Sequence, residues 1–223
     1  LGRIEATNPC GEVPLLPYES CNLGSVNLSR MLAPTKDGWE VDWEKLRETV
    51  RLGVHFLDNV IDANRYPLKQ IEQATKANRK IGLGVMGWAE MLIKLGLPYD
   101  SGEALDLADR VMQFISKHAR ERSRELGEER GSFPNFQLSR WARKYSALRN
   151  ATVTAIAPTG SISIIAGCSS SIEPIFAVAF LRNVLGGRKL FEINPLFEQI
   201  AKKQGFYSAE LFRRIARAGS VRG

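Results

Sequence analysis

Cysteine and histidine are scarce in this chain. Three cysteines and two histidines in 223 residues do not make a zinc framework, because there is no CxxC and no histidine lies near Cys10 or Cys21. The odd cysteine count also argues against a disulfide scaffold. No apolar run approaches the ~20 residues that span a bilayer, and the opening LGRIEATNPCGE lacks the basic segment and apolar core of a secretory signal. The expectation is a globular protein of the reducing cytoplasm with no membrane partner. The net charge of +7 would suit an anionic ligand. Its lysines and arginines, however, are mixed with acids in helix-like segments such as KHARERSRELGEER, the pattern of a solvated helix face. Nucleic acid is not expected as a partner, since no recognition motif or aromatic-basic interleaving accompanies the charge. The chain starts on a loop without methionine and stops at GSVRG just after a helix-like segment, so it reads as a fragment.

What is present follows an alternating order. NLGSVNLSRML reads as extended and is closed by the turn signal PTKDG. A helix follows with Leu46, Val50, Val54, Leu57 and Ile61 at helical spacing, Asp42 as its cap and Pro67 beyond its end; His55 lies within it as a packed or half-exposed residue. A second helix is predicted over 69–78. A glycine-rich strand then turns into a helix ended near Gly96, and a long helix runs from about Ser101 to Leu126. The residues that follow are loop-like, with a short helix over 141–148. ATVTAIAPTGSISIIAG reads as a β-branched strand, a turn and a helix start. The tail offers strands at IEPIFAVAFL and RKLFEIN and helices from Pro195 and Ser208. Strands alternating with long helices imply an α/β architecture, taken here as one domain over 1–223.

Three local patterns bear on chemistry. Gly82, Gly84 and Gly87 spell G-x-G-x-x-G, but the strand that should precede the first glycine and the acidic residue that should follow are missing. The alternative is a strand whose glycines let a neighbouring backbone approach. The turn PTGSIS at a helix start suits a phosphate through free N–H groups and the hydroxyls of Thr159, Ser161 and Ser163, although the same residues would serve equally as helix caps. In NPCGEVPLLPYESC, Asn8, Cys10 and Glu12 alternate, so an extended segment would point an amide, a thiol and a carboxylate the same way. The only histidines, His55 and His118, lie in helices, which weakens an ordinary cysteine nucleophile. A thiol reacting as a radical or redox partner remains, beside the plain possibility of two incidental cysteines in a proline-rich loop.

NPCGEVPLLPYESCNLGSVNLS resembles the finger-loop segment of ribonucleotide reductase large chains, in the form typical of the adenosylcobalamin-dependent class. IAPTGSISIIAGCSSSIEPIFA resembles the phosphate-binding turn of the same family, and NRKIGLGVMGWAEMLIKLGLPYDS between them is similar too. Pro9 favours the cobalamin class, because the iron-dependent class more often has leucine there. The resemblance implies a ten-stranded α/β barrel of two half-barrels, of which this chain supplies the finger loop, at 1–30, and most of the second half. It also implies roles. Cys10 matches the cysteine that becomes a thiyl radical and abstracts the ribose 3′ hydrogen, Glu12 the base for the 3′-hydroxyl, and Asn8 an amide that hydrogen-bonds the substrate. Cys21 matches one member of the reducing dithiol, and Thr159, Gly160, Ser161, Ile162 and Ser163 match the substrate-phosphate turn. Cys168 matches no redox position and is expected to be a small buried thiol. The implied cofactor is adenosylcobalamin. The implied partners are a ribonucleotide substrate, the missing N-terminal half of the enzyme and a thioredoxin-type reductant, with a homo-oligomer as an open option. A non-catalytic remnant that keeps the fold and binds nucleotide phosphate is the alternative; intact Asn8, Cys10, Glu12 and Cys21 favour the enzyme.

Overall fold

The glycine-rich strand at Ile81 organises the larger part of the molecule. The structure, a computed structural model, describes residues 2–183 and 189–221. Two compact units are present, Leu1–Ile172 and Glu173–Gly223. The first contains β1 (Ala6–Thr7), β2 (Pro14–Leu15), β3 (Asn22–Asn27), β4 (Leu32–Pro34), β5 (Trp39–Val41), α1 (Trp43–Ala63), α2 (Lys69–Asn78), β6 (Ile81–Met86), α3 (Trp88–Leu95), α4 (Gly102–Arg130) and α5 (Gly160–Ala166). The second contains β7 (Ala179–Asn183), β8 (Lys189–Ile193), α6 (Pro195–Gln204) and α7 (Ala209–Ala218).

Every residue of β6 is buried. It pairs in parallel with β3 from Asn22 opposite Ile81 to Asn27 opposite Met86, with α1 and α2 in the crossover that a parallel pair requires. On its other side runs the segment predicted as a strand over 151–157. Only one parallel bridge forms there, Thr154 with Leu83, flanked by Leu83 N–H to the Val153 carbonyl at 2.8 Å and Ala155 N–H to the Leu83 carbonyl at 3.3 Å. The predicted strand shrinks because the pairing is irregular at its start, where Thr152 accepts the Ile81 N–H at 3.2 Å through its carbonyl and donates to the Ile81 carbonyl through its hydroxyl. Two glycines of the G-x-G-x-x-G pattern, Gly82 and Gly84, are explained by this neighbour, and Gly87 by its φ of +72°. A Cβ on Gly82 would lie 2.8 Å from the Ala155 Cβ, and one on Gly84 2.3 Å from the Ala155 carbonyl oxygen. They are there for close approach, not for a dinucleotide.

The helices follow their sequence patterns with two informative departures. In α1 the apolar stripe Leu46, Val50, Val54, Leu57 and Ile61 is buried, and the Asp42 carboxylate accepts the Lys45 N–H at 2.9 Å. α1 packs along α4. The predicted end of α4 at Leu126 is overrun: the helix continues through Gly127 to Arg130. Gly127 is tolerated there because the Leu148–Arg149 backbone lies against it, 2.9 Å from where a Cβ would sit, with Arg149 N–H bonded to the Ser123 carbonyl. The extended reading of NLGSVNLSRML is cut in the other sense. Asn27 ends β3 by accepting the Ser29 N–H at 3.1 Å, which starts a single 3-10 turn over Leu28–Arg30. The helix predicted over 141–148 is a 3-10 turn, Arg140–Arg143, capped by Ser139.

A buried polar cluster ties these elements together. Asp58 of α1 is fully buried and accepts from Arg79 Nε at 3.0 Å and Nη2 at 2.8 Å, from Asn150 Nδ2 at 2.9 Å and from Arg149 Nε at 3.2 Å. Arg79 sits in the left-handed region at the end of α2 and also clasps Asp62, whose carboxyl is held below its ordinary range chiefly by that hydrogen bond. Removing one member leaves buried charge uncompensated. Asp58→Ala is therefore expected to destabilise the fold by about 3–5 kcal/mol, read from the midpoint of urea denaturation; a shift under ~1 kcal/mol would show that water solvates Arg79 instead.

In the second unit, β7 and β8 pair antiparallel from Ala179 opposite Ile193. Ala179, Ala201, Phe212 and Ile215 form its core, and Asn194 and Ser208 cap α6 and α7. The strand expected in IEPIFAVAFL begins only at Ala179. The link between β7 and β8, within the reading RKLFEIN at its start, lies outside the described residues.

Candidate active site

The loop from Asn8 to Cys21 is a hairpin followed by a turn, and each bend has a local cause. β1 and β2 pair antiparallel, with Ala6 opposite Leu15 and Thr7 opposite Pro14. Between them the Asn8 carboxamide oxygen accepts the Val13 N–H at 2.9 Å, and the Asn8 carbonyl accepts the Gly11 N–H at 3.0 Å, closing a turn over Asn8–Gly11. Pro9 fits the second position of that turn, and Gly11 supplies its φ of +80°. The expectation of an extended Asn8-Cys10-Glu12 row is thus corrected: hydrogen bonding by Asn8 bends the chain, and alternation no longer aims the three side chains together. Cys10 is exposed at the tip of the turn. Asn8 is half-buried, its side-chain oxygen used inside the hairpin.

Glu12 is the unusual member. Its Oε2 is buried and has no hydrogen-bond partner among the described residues. Leaving a carboxylate oxygen so placed costs stability. The carboxylate also lies close enough to Cys21 for its charge to act there. Burial first, and then Glu12, push the Cys21 thiol above its ordinary range, Lys80 opposes them, and Glu19 adds to the rise. Cys21 is half-buried, and its thiol holds its proton more tightly than an exposed cysteine would.

The second bend is set by a residue that sequence reasoning missed. Glu19 Oε2 accepts the Leu16 N–H at 2.6 Å and pairs with Lys80 Nζ at 2.6 Å, while its Oε1 accepts from Asn78 Nδ2. Lys80 also donates to the Pro14 carbonyl at 3.0 Å. Tyr18, held between Pro17 and Glu19, has a φ of +61°, an uncommon conformation for a bulky residue. Ser20 adds bonds from its N–H and hydroxyl to the Thr75 hydroxyl at 3.2 and 2.9 Å. The signal available was spacing: Glu19 and Cys21 alternate just as Cys10 and Glu12 do. Lys80 carried no signal at all, since only the β3–β6 register brings it there.

The turn at Thr159 is differently built. Thr159 has φ +56° and is buried, with its hydroxyl oxygen accepting the Ser171 N–H at 2.7 Å. Ser163 is buried too, donating to the Gly160 carbonyl at 3.2 Å and bonded to the Ser170 hydroxyl at 2.8 Å. Two of the three expected hydroxyls thus shape the turn. Gly160, Ser161 and Ile162 are exposed, and their amides precede the first helical bond, Ser163 N–H to the Thr159 carbonyl. Cys21 lies just before the first paired residue of β3, whereas the Thr159 turn follows Ala155 toward the far end of β6, where Gly87 N–H bonds the Ser169 carbonyl. The two candidate regions therefore flank opposite ends of the parallel set. Cys168 is half-buried near Gly87, and burial, with Glu90 adding, pushes its thiol up to about 11. Among the described residues no cluster of histidine, cysteine or carboxylates is arranged to hold a metal, and no helix is long and apolar enough to cross a membrane.

Comparison with known proteins places this mixed α/β architecture. The family model described as "Ribonucleotide reductase, barrel domain" matches residues 1–223, so the chain belongs to that family. Vitamin B12-dependent ribonucleoside-diphosphate reductases are similar to it: that of Mycobacterium tuberculosis is 59% identical over 222 residues, covering 100% of this chain and 31% of that protein. That of Thermoplasma acidophilum is 57% identical over 221 residues, covering 99% of this chain and 28% of that protein. The chain thus spans less than a third of these curated relatives. The solved alpha subunit of the class Id ribonucleotide reductase of Actinobacillus ureae shares the fold, with a TM-score of 0.71 at 24% identity over 95% of this chain and 38% of that one.

Proposed function

We propose that this chain is the catalytic segment of an adenosylcobalamin-dependent ribonucleotide reductase, acting on ribonucleotides together with the remainder of the enzyme. The observation that carries it is a division within one loop: an exposed thiol at a fixed tip, a buried carboxylate oxygen without a partner among the described residues, and a second, half-buried thiol near enough for that carboxylate's charge to act on it. A remnant that only kept the fold would gain nothing from burying Glu12 Oε2 unpaired.

In this proposal Cys10, as a thiyl radical, takes the 3′ hydrogen atom of the ribose. The stiff turn supports the aligned approach that such a transfer demands. Glu12 accepts the 3′-hydroxyl proton, and the free donors of the Asn8 amide steady a ribose oxygen. The 2′-hydroxyl leaves as water. Cys21 and a partner thiol supply two electrons and two protons and become a disulfide, and Cys10 returns the hydrogen atom to C3′. The exposed amides of Gly160, Ser161 and Ile162 and the Ser161 hydroxyl receive substrate phosphate, with Thr159 and Ser163 holding the turn.

The exposed position of Cys10 fits a cofactor that must reach its sulfur, and the vitamin B12-dependent names of the similar proteins support the choice. Adenosylcobalamin supplies, when bound, the radical chemistry that removes the thiol hydrogen. A thioredoxin-type dithiol would return the Cys21 disulfide to thiols, and a cytoplasmic setting suits these partners. The test is deoxyribonucleotide formation by the full-length protein from a ribonucleoside diphosphate with a dithiol: product is expected only when adenosylcobalamin is added. Equal product without it would overturn the cofactor assignment.

A further inference from the structure

We propose that Glu19 and Lys80 are positioning residues for the Cys21 thiol: their ion pair seats the loop that carries it and sets one ammonium and one carboxylate against the sulfur. The proposal rests on the reading of Cys21 as a reducing thiol and deepens it. The parallel register carries the placement. Asn22 stands opposite Ile81, so Cys21 and Lys80, one residue earlier on each strand, stand beside each other at the mouth of the β3–β6 pair. The pair is withdrawn from solvent, with side-chain exposures of 1% for Glu19 and 14% for Lys80. Glu19 is fully engaged, by Lys80, by the Leu16 N–H and by Asn78, and Asn78 is in turn held by Asn135 at 2.9 Å. Lys80 reaches back to the Pro14 carbonyl of the hairpin, so one ammonium links the hairpin whose connection bears Cys10 and Glu12 to the strand mouth that bears Cys21.

The charges that face Cys21 are Glu12, Lys80 and Glu19, the carboxylates raising its proton affinity and the ammonium lowering it, after the larger effect of burial. The ammonium thus has two jobs: it is the counter-ion that the buried Glu19 carboxylate requires, and it favours the thiolate of Cys21, the species that exchanges with a disulfide.

The test is the pH profile of alkylation at Cys21 in the full-length protein, followed with iodoacetamide by mass spectrometry of the Cys21 peptide. Lys80→Met removes the cation while Glu19 keeps two donors, so the profile should move to higher pH and alkylation below the midpoint should slow about 3- to 10-fold. Lys80→Arg should restore the parent profile. Glu19→Gln should move it the opposite way, to lower pH. A purely structural role would loosen the loop in both variants and shift both in one direction, toward faster alkylation, and that result, or unchanged profiles, overturns the proposal. Should Lys80→Met fail to fold, Lys80→Gln takes its place, since only loss of the cation is expected to slow alkylation: slower reaction supports the proposal, and faster or unchanged reaction overturns it. Deoxyribonucleotide formation by Cys21→Ser tests the underlying reading separately: activity retained there would remove Cys21 from reduction without touching the alkylation result.

Discussion

Cys10→Ser in the full-length protein is expected to abolish deoxyribonucleotide formation while leaving nucleotide affinity unchanged. The O–H bond of serine is far harder to convert to a radical than the S–H bond of cysteine, so the hydrogen-atom transfer has no route. The fold should not register the change. Cys10 is exposed at the tip of a turn held by Asn8 and Gly11, and none of the bonds that close that turn uses its sulfur. Turnover, nucleotide binding by equilibrium dialysis and the thermal midpoint would be measured together. A serine variant that turns over at a rate near the parent's would show that Cys10 does not carry the radical.

Glu12→Gln should lower turnover by roughly 10²–10⁴-fold, the scale of a lost acid–base group, with little change in substrate affinity. The substitution keeps the shape and a hydrogen-bonding group but takes away the base. A second readout follows from the same carboxylate. Its charge raises the proton affinity of Cys21, so neutralising it should move the pH profile of Cys21 alkylation downward. Normal turnover with weakened binding would instead make Glu12 a substrate anchor, and an unmoved Cys21 profile would separate the two side chains.

Much of this fold was legible because local signals agreed with tertiary need. α1 announced itself by one apolar stripe and the Asp42 cap, and α6 and α7 start at or next to the predicted Pro195 and Ser208. The glycines of β6 were legible as sites of backbone approach, which the contact with Ala155 bears out. The departures arise where a side chain outcompetes the backbone pattern or where a distant segment intervenes. Asn27 stops β3 by capping a 3-10 turn, and the Thr152 hydroxyl bonds the Ile81 carbonyl where the pairing is irregular. Gly127 lets α4 continue because Leu148–Arg149 lies against it.

The candidate site divides along the same line. Its residue types, a thiol and a carboxylate in a proline-stiffened loop with a second thiol following, were readable from composition and resemblance. Their mutual placement was not. Alternation suggested that Asn8, Cys10 and Glu12 point one way, but the Asn8 amide closes the hairpin and turns the chain at Cys10. Glu19 and Lys80 lie 61 positions apart and meet only through the β3–β6 register, a long-range pairing that no local pattern encodes.

The central claim is that the two thiols of this loop do different work, Cys10 as a radical carrier restored in each cycle and Cys21 as a source of electrons consumed in it. One turnover of the full-length protein, with ribonucleotide and adenosylcobalamin but no external dithiol, separates them. Peptide mapping after rapid alkylation should then find Cys21 in a disulfide in proportion to the deoxyribonucleotide formed, with Cys10 recovered as a free thiol. Cys10 in a disulfide, or product formed while Cys21 stays free, would contradict it.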